Sequence, residues 1–303
     1  MSFQRKCSIK SIEYLHIEEA IRLFVESQKM LRRSERTIKT YNETLKRFCK
    51  YFYEEYNRPV SLEEISTNEV EEYLYYLISI KKNSLRTRND ALKIINLFYR
   101  FCTIKKYCTI NVAETIEYAN AQKKERYFMT ENEVRSIFNG VEKPIIKIAL
   151  QTLYYTGMRI GELTELKVSD VDFEGNIMHI RQGKGDKQRT IPLHNELKKL
   201  LEEYINCWRI NIKSDYIFCT KTGRISQVYI SSELKKTLML TKIDKPITPH
   251  SFRHTFASNL IRKGVNVVQV QKLLGHESLV TTGIYTHCRI EDLDQSLKML
   301  VAI

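Results

Sequence analysis

Proline and glycine are scarce: the 303 residues contain 5 and 10 of them. This argues against an all-β fold, whose many tight turns draw on both residues. There are seven cysteines: Cys7, Cys49, Cys102, Cys108, Cys207, Cys219 and Cys288. The count is odd, no CxxC pair occurs, and no Cys/His group has zinc-finger spacing, so neither a disulfide framework nor a structural zinc site is expected. They are read as free thiols in a reducing cytosol. No apolar run approaches the ~18 residues of a membrane span. The N-terminal MSFQRKCSIKSIEYLHIEE lacks the apolar core of a secretory leader. The expectation is a cytoplasmic protein that makes no membrane contact.

Positive charge, by contrast, is abundant. Forty-nine Lys and Arg against 36 Asp and Glu leave a formal net charge of +13. A field of that sign draws polyanions, nucleic acid or a membrane surface, although a merely basic soluble protein would carry it too. Hydrophobic residues make up 43%, enough to build real cores, and the length suggests about two domains.

Apolar spacing of the helical kind runs over 17–30, with Ile17, Ala20, Ile21, Phe24 and Val25 on one stripe. A second helix opens at Ser34, carries Ile38, Tyr41, Leu45, Phe48 and Phe52, and is expected to end at Arg58-Pro59. Ser61 and Glu64 have capping-box spacing over a short turn. A third helix is predicted over 67–80 and a fourth over about 84–105. Four helices with short connections make a small bundle. Its basic residues gather at two helix starts. Arg33, Arg36 and Lys39 lie at the second, and Lys82, Arg86 and Arg88 at the fourth. Helix N-termini already favour phosphate, so these six are candidate DNA contacts. The bundle is assigned to 14–110 and a linker to 111–126.

Thr130 and Glu133 form a second capping box and open the domain assigned to 127–303. PIIKIALQTLYYTG is apolar nearly all round and reads as a buried central helix stopped by Gly157. A helix with Arg159 at its head follows. Alternation over 177–181 and 189–193, with Gly183, Lys184, Gly185 and Asp186 between, predicts a β-hairpin in a small antiparallel sheet. Helices are predicted over 194–210 and 226–241, with a possible strand at 216–218. They continue through 247–287, and a last amphipathic helix covers 290–300. The fold class is mainly α with a small antiparallel sheet. No internal repeat is visible.

The chemistry gathers in ITPHSFRHTFASNLIRKGVNVVQVQKLLGHESLVTTGIYTH, residues 247–287. Cutting a DNA strand without metal requires cations to clamp the charge gathering on the phosphate, which arginine forks supply. It also requires a hydroxyl nucleophile, for which tyrosine serves, and an acid for the leaving oxygen, for which lysine or histidine serves. The chain offers a candidate for each role and no acidic cluster suited to two-metal catalysis.

TGMRIGEL, GKGDKQRTIPL, HSFRHTFASNL and LLGHESLVTTGIYTH, in that order, resemble the tyrosine recombinases, also called phage-type integrases. The resemblance covers nearly the whole chain, in the two-domain form called Xer-like or Cre-like. It implies that Arg159 and Arg253 clamp the scissile phosphate, that His250 and His276 donate to its oxygens, and that Tyr285 is the nucleophile. It further implies that Lys184, with Lys187 a neighbouring competitor, is the general acid, and that Glu162 supports the site. Gly283 stands where related sequences often carry a larger polar residue. His254 is assigned to the core. The implied partners are double-stranded recombination sites held by a homotetramer through a Holliday junction, with no cofactor and no metal. The family's C-terminal segment commonly docks on a neighbouring protomer. No separate arm-binding domain is expected ahead of the bundle. A type IB topoisomerase and a non-catalytic DNA-binding regulator are the competing readings. Resolution of dimers or cointegrates, or integration and excision of a mobile element, is the expected biological task.

Overall fold

A computed structural model describes residues 15–122, 127–181, 188–209, 213–221 and 223–275. The chain divides into two compact units, residues 1–123 and 124–303. Among the described residues the architecture is mainly helical, with small antiparallel sheets in the second unit.

The first unit is a bundle of α1 (Ile17–Met30), α2 (Glu35–Tyr56), α3 (Thr67–Ser79) and α4 (Leu85–Ile104). Each helix turns its periodic apolar stripe inward, and aromatic rings fill the centre. Phe24 meets Phe98 edge-on at 5.7 Å, and Phe48 meets Tyr73 edge-on at 5.0 Å. Such pairings add to the area term that already favours burying each ring. Serine hydroxyls accept from the third backbone N–H at two helix starts, Ser34 from Thr37 and Ser84 from Thr87, each at 3.2 Å.

Two sequence expectations shift here. The α2 helix stops at Tyr56, ahead of Arg58-Pro59, because Asn57 takes a left-handed conformation with φ 51°. The capping box lies at Ser66 and Glu69, where the Ser66 N–H donates to the Glu69 carboxylate at 2.6 Å. At Ser61 the hydroxyl is drawn to the Glu64 side chain, at 3.0 Å, and caps no backbone N–H.

Residues 111–122 have no helix or strand, yet the stretch is more than a tether. Val112, Ala113 and Ile116 are buried in the bundle core. Asn89 holds Ala119 at both ends of its amide, donating to the carbonyl at 2.7 Å and accepting from the N–H at 3.0 Å. Arg88 donates to the Glu117 carbonyl at 2.7 Å.

The second unit begins with α5 (Glu131–Gly140), opened by the Thr130–Glu133 capping box, and α6 (Pro144–Thr156). As its sequence predicts, α6 is buried on most sides and packs chiefly against α10 (Pro249–Arg262). Next come α7 (Ile160–Glu165) and a three-stranded antiparallel sheet of β1 (Val171–Asp172), β2 (Ile177–Ile180) and β3 (Arg189–Pro192). The hairpin register pairs Met178 with Ile191 and Ile180 with Arg189. The helix expected over 194–210 is α8 (Asn195–Glu203), continued by a wider π turn over Tyr204–Trp208. The strand expected at 216–218 is displaced. Tyr216 makes an isolated bridge to Lys167, and β4 (Cys219–Thr220) begins beyond it, paired with β5 (Gly223–Arg224). Ile217 and Phe218 are instead core residues. The described part closes with α9 (Gln227–Leu240), α10 and α11 (Val267–Leu274). The final helix expected over 290–300 lies outside the described residues, and no helix among those described is long and apolar enough to cross a membrane.

Candidate active site

The site is built around the turn from α6 to α7. Gly157 ends α6 in the left-handed region, at φ 61°. A Cβ there would stand 2.4 Å from a Phe256 ring carbon and 2.8 Å from Leu274 Cδ2, so this close approach needs glycine as much as the dihedral does. Met158 is buried and turns the chain, leaving Arg159 at the N-cap of α7 with its side chain a third exposed.

Glu162 fixes that arginine. It sits three residues into α7, where a glutamate reaches back to the N-cap N–H, and its Oε2 accepts from the Arg159 backbone at 2.8 Å. Its Oε1 accepts from Arg159 Nη1, also at 2.8 Å. Arg189, at the start of β3, completes the shell: Nη1 donates to Oε1 at 3.0 Å and Nη2 to Oε2 at 2.7 Å. The carboxylate is 3% exposed and takes four hydrogen bonds. Burial pushes its pKa upward. The bonds and charge of Arg189, with the N–H and guanidinium of Arg159, outweigh that and hold it below the ordinary carboxylate value.

Arg253, in α10, is buried. Its Nη1 donates to the Gly157 carbonyl at 2.6 Å, two residues from Arg159, and its Nη2 donates to the Leu274 carbonyl at 2.7 Å. The two arginines expected to act together are thus anchored on one short segment. His250 is exposed in the first turn of the same helix, after Pro249, and His254 is half-buried. Pro249 suits that first position because the N–H it lacks would find no partner within the helix. Thr255 ties α10 to the start of the unit, its hydroxyl accepting from the Met129 N–H at 2.9 Å.

Lys184, Lys187, His276, Gly283 and Tyr285 lie outside the described residues. Of the bundle's candidate DNA contacts, Arg33, Arg36, Lys39, Lys82 and Arg86 are exposed. Lys39 lies 3.9 Å from Glu43. Arg88 is half-buried, and its bond to Glu117 gives it a structural task.

Sequence reasoning passed over Arg189. A signal was available: Arg189 alternates with Ile191 and Leu193, so it shares their inward face. A cation on the core face of a strand needs a buried partner. The partner, Glu162, is 27 residues away in sequence, and no local pattern names it.

Residues 127–291 match the model of the phage integrase family, and residues 21–107 match its N-terminal SAM-like domain. A tyrosine recombinase of Thermosipho africanus is 31% identical over 294 residues, which is 94% of this chain and all of that protein. A crystal structure of the XerH site-specific recombinase bound to its difH substrate is 25% identical, with a TM-score of 0.68 over 86% of this chain and 79% of that one. A lambda integrase tetramer bound to a Holliday junction shares the fold at 19% identity, with a TM-score of 0.76 over 95% of this chain and 84% of that one. Together with the turn that bears Arg159 and is gripped by Arg253, these likenesses place the chain in the phage integrase family, as a tyrosine recombinase, an enzyme of site-specific recombination.

Proposed function

We propose that the protein cleaves and rejoins double-stranded DNA at specific sites through a 3′-phosphotyrosyl intermediate. Arg159 and Arg253 bind the non-bridging oxygens of the scissile phosphate, where charge gathers in the transition state. The Tyr285 hydroxyl attacks phosphorus, passing its proton towards His250, and the bond from phosphorus to the 5′ oxygen breaks. Lys184 protonates that leaving oxygen. His276 donates to a phosphate oxygen, and Glu162 keeps Arg159 in place. A 5′ hydroxyl from a partner strand then attacks the phosphotyrosine and frees the enzyme. The phosphodiester bond energy is kept in the tyrosyl ester, so the cycle calls for neither ATP nor a cofactor.

The observation that carries this reading is the shared anchoring of the two arginines. Arg253 is bonded to the carbonyl of Gly157, and Arg159, two residues on, is locked by a buried carboxylate. In the wider reading four protomers act on two sites through a Holliday junction, the kind of DNA to which the lambda integrase tetramer is bound. The bundle of 14–110 grips DNA with Arg33, Arg36, Lys39, Lys82 and Arg86, residues 111–126 join it to the catalytic unit of 127–303, and the setting is the cytoplasm. The task is resolution of dimers or cointegrates, or integration and excision of a mobile element.

The test begins with fragmented genomic DNA of the source strain, from which denaturant-resistant protein–DNA adducts are recovered and sequenced. Two copies of the recovered site in direct repeat on a supercoiled plasmid should yield a deletion circle, and one copy should not. Relaxation of plasmids that lack any site would contradict the proposal in favour of a topoisomerase.

A further inference from the structure

We infer that Arg189 is a positioning residue for strand cleavage, holding in register the head of α7, the start of β3 and the C-terminal end of α11. The inference rests on the recombinase chemistry proposed above.

Arg189 uses its whole guanidinium. Nη1 and Nη2 grip the Glu162 carboxylate at 3.0 and 2.7 Å, and Nε donates to the Leu273 carbonyl at 2.9 Å. Each group it touches borders a proposed site residue. Glu162 holds Arg159. Arg189 itself follows Lys184 by five residues, at the root of the hairpin. Leu273 precedes His276 by three residues, at the end of α11. One planar fork therefore links the head of α7, the returning strand of the hairpin and the C-terminus of α11.

The end of α11 is shaped to fit this side chain. Gly275 closes the helix at φ 65°, and a Cβ there would stand 3.0 Å from Arg189 Cδ. The final turn of a helix leaves carbonyls without intrahelical partners and carries partial negative charge, so a cation is favoured there. The Arg189 side chain is 9% exposed. It serves the site from behind and does not itself meet phosphate.

Arg189 also divides the attraction of Glu162 between two cations. Without it, Arg159 would be the carboxylate's one guanidinium partner among the described residues and would be drawn more tightly onto it, away from an incoming phosphate. A merely structural ion pair would behave differently, since a buried pair can often be replaced by apolar side chains without loss. Lysine supplies the charge but lacks the planar fork that reaches a carboxylate and a carbonyl together.

The test uses Arg189→Lys, Arg189→Gln and Arg189→Met in the full chain, with a nicked duplex bearing the recovered site as probe. Melting temperature, retention of the duplex and the single-turnover rate of adduct formation are read across pH 5 to 8. The expected result for the Gln and Met variants is near-normal retention with adduct formation about 10²-fold slower, the loss typical of misplaced catalytic groups. The acid limb of their rate profile should move to higher pH, because Glu162 has lost its stronger partner. The Lys variant should recover the pH limb but not the rate. The double variant Glu162→Gln/Arg189→Gln removes the buried charge altogether and reports in their place if the single variants do not fold. It should be slow at every pH, with no acid limb attributable to Glu162. Variants that fold and cleave at the wild-type rate with the wild-type profile would overturn the role of Arg189 alone. Absence of any adduct from the wild-type protein would instead overturn the recombinase chemistry.

Discussion

Arg189 and Arg253 cap the same helix end, on consecutive carbonyls: Arg189 Nε reaches the Leu273 oxygen at 2.9 Å and Arg253 Nη2 the Leu274 oxygen at 2.7 Å. Beyond that end, in sequence, come His276 and Tyr285. The two arginines approach from different elements, β3 and α10, so the C-terminus of α11 is fixed by long-range contacts as well as by its own turns. Arg253 also reaches Gly157, which joins this helix end to the turn bearing Arg159.

Gly157 should therefore be intolerant of a side chain. Alanine in a left-handed conformation costs about 1–2 kcal/mol, and its Cβ would meet Phe256 and Leu274 at under 3 Å. Gly157→Ala should lower the urea midpoint and the rate of adduct formation together. Gly275→Ala meets the flexible side chain of Arg189, at 3.0 Å from Cδ and 3.2 Å from Nη1, and should destabilise less. Equal midpoints for the two variants would contradict this.

Acid should act through Glu162. Its folded pKa lies below the ordinary 4.5, so its charge contributes stability that is complete above that value and is lost as pH falls through the depressed pKa. Melting temperatures followed from pH 7 to pH 3 should fall more steeply below pH 4.5 for the wild type than for Glu162→Gln. At pH 7 the variant should be the less stable, since Arg189 would be left buried without an anionic partner. Parallel curves would show that Glu162 is not the linked group.

How much of this was legible in the sequence depends on the range of the contact. Local rules did well. The stop at Gly157, the Thr130–Glu133 box, the central α6 and the hairpin all rest on patterns within a few residues. The capping box of α3, Ser66–Glu69, went unread beside Ser61–Glu64, which has the same spacing five residues earlier over a short turn. Only the fold decides which serine meets a free backbone N–H. The role of Arg189 was hidden for a stronger reason: its partners Glu162 and Leu273 are 27 and 84 residues away. The burial of Val112 and Ile116 was hidden because a segment without periodicity gives no sign of which side faces a core.

The caps of the bundle give a direct comparison. Ser66→Ala removes a genuine N-cap and should cost about 1 kcal/mol. Ser61→Ala should cost less, because Glu64 keeps Arg58 as a partner at 2.7 Å. Chemical denaturation of the two variants should order them in that way, and the reverse order would return the cap to Ser61.

The bundle's arginines should divide by task. Arg86 is exposed, and Arg86→Met should lower the slope of log affinity against log salt by about 0.9, as for one lost phosphate contact. Arg88 is committed to Glu117. Arg88→Met should lower stability and leave that slope unchanged. A change of slope from Arg88→Met with no loss of stability would reverse the assignment.

The nucleophile is the centre of the account. The most direct measurement is digestion of the trapped protein–DNA adduct and mass spectrometry of the peptide that retains a nucleotide. The account predicts a 3′-phosphonucleotide on Tyr285 and no adduct from Tyr285→Phe. A nucleotide on any other residue, or an undiminished adduct from Tyr285→Phe, would contradict it.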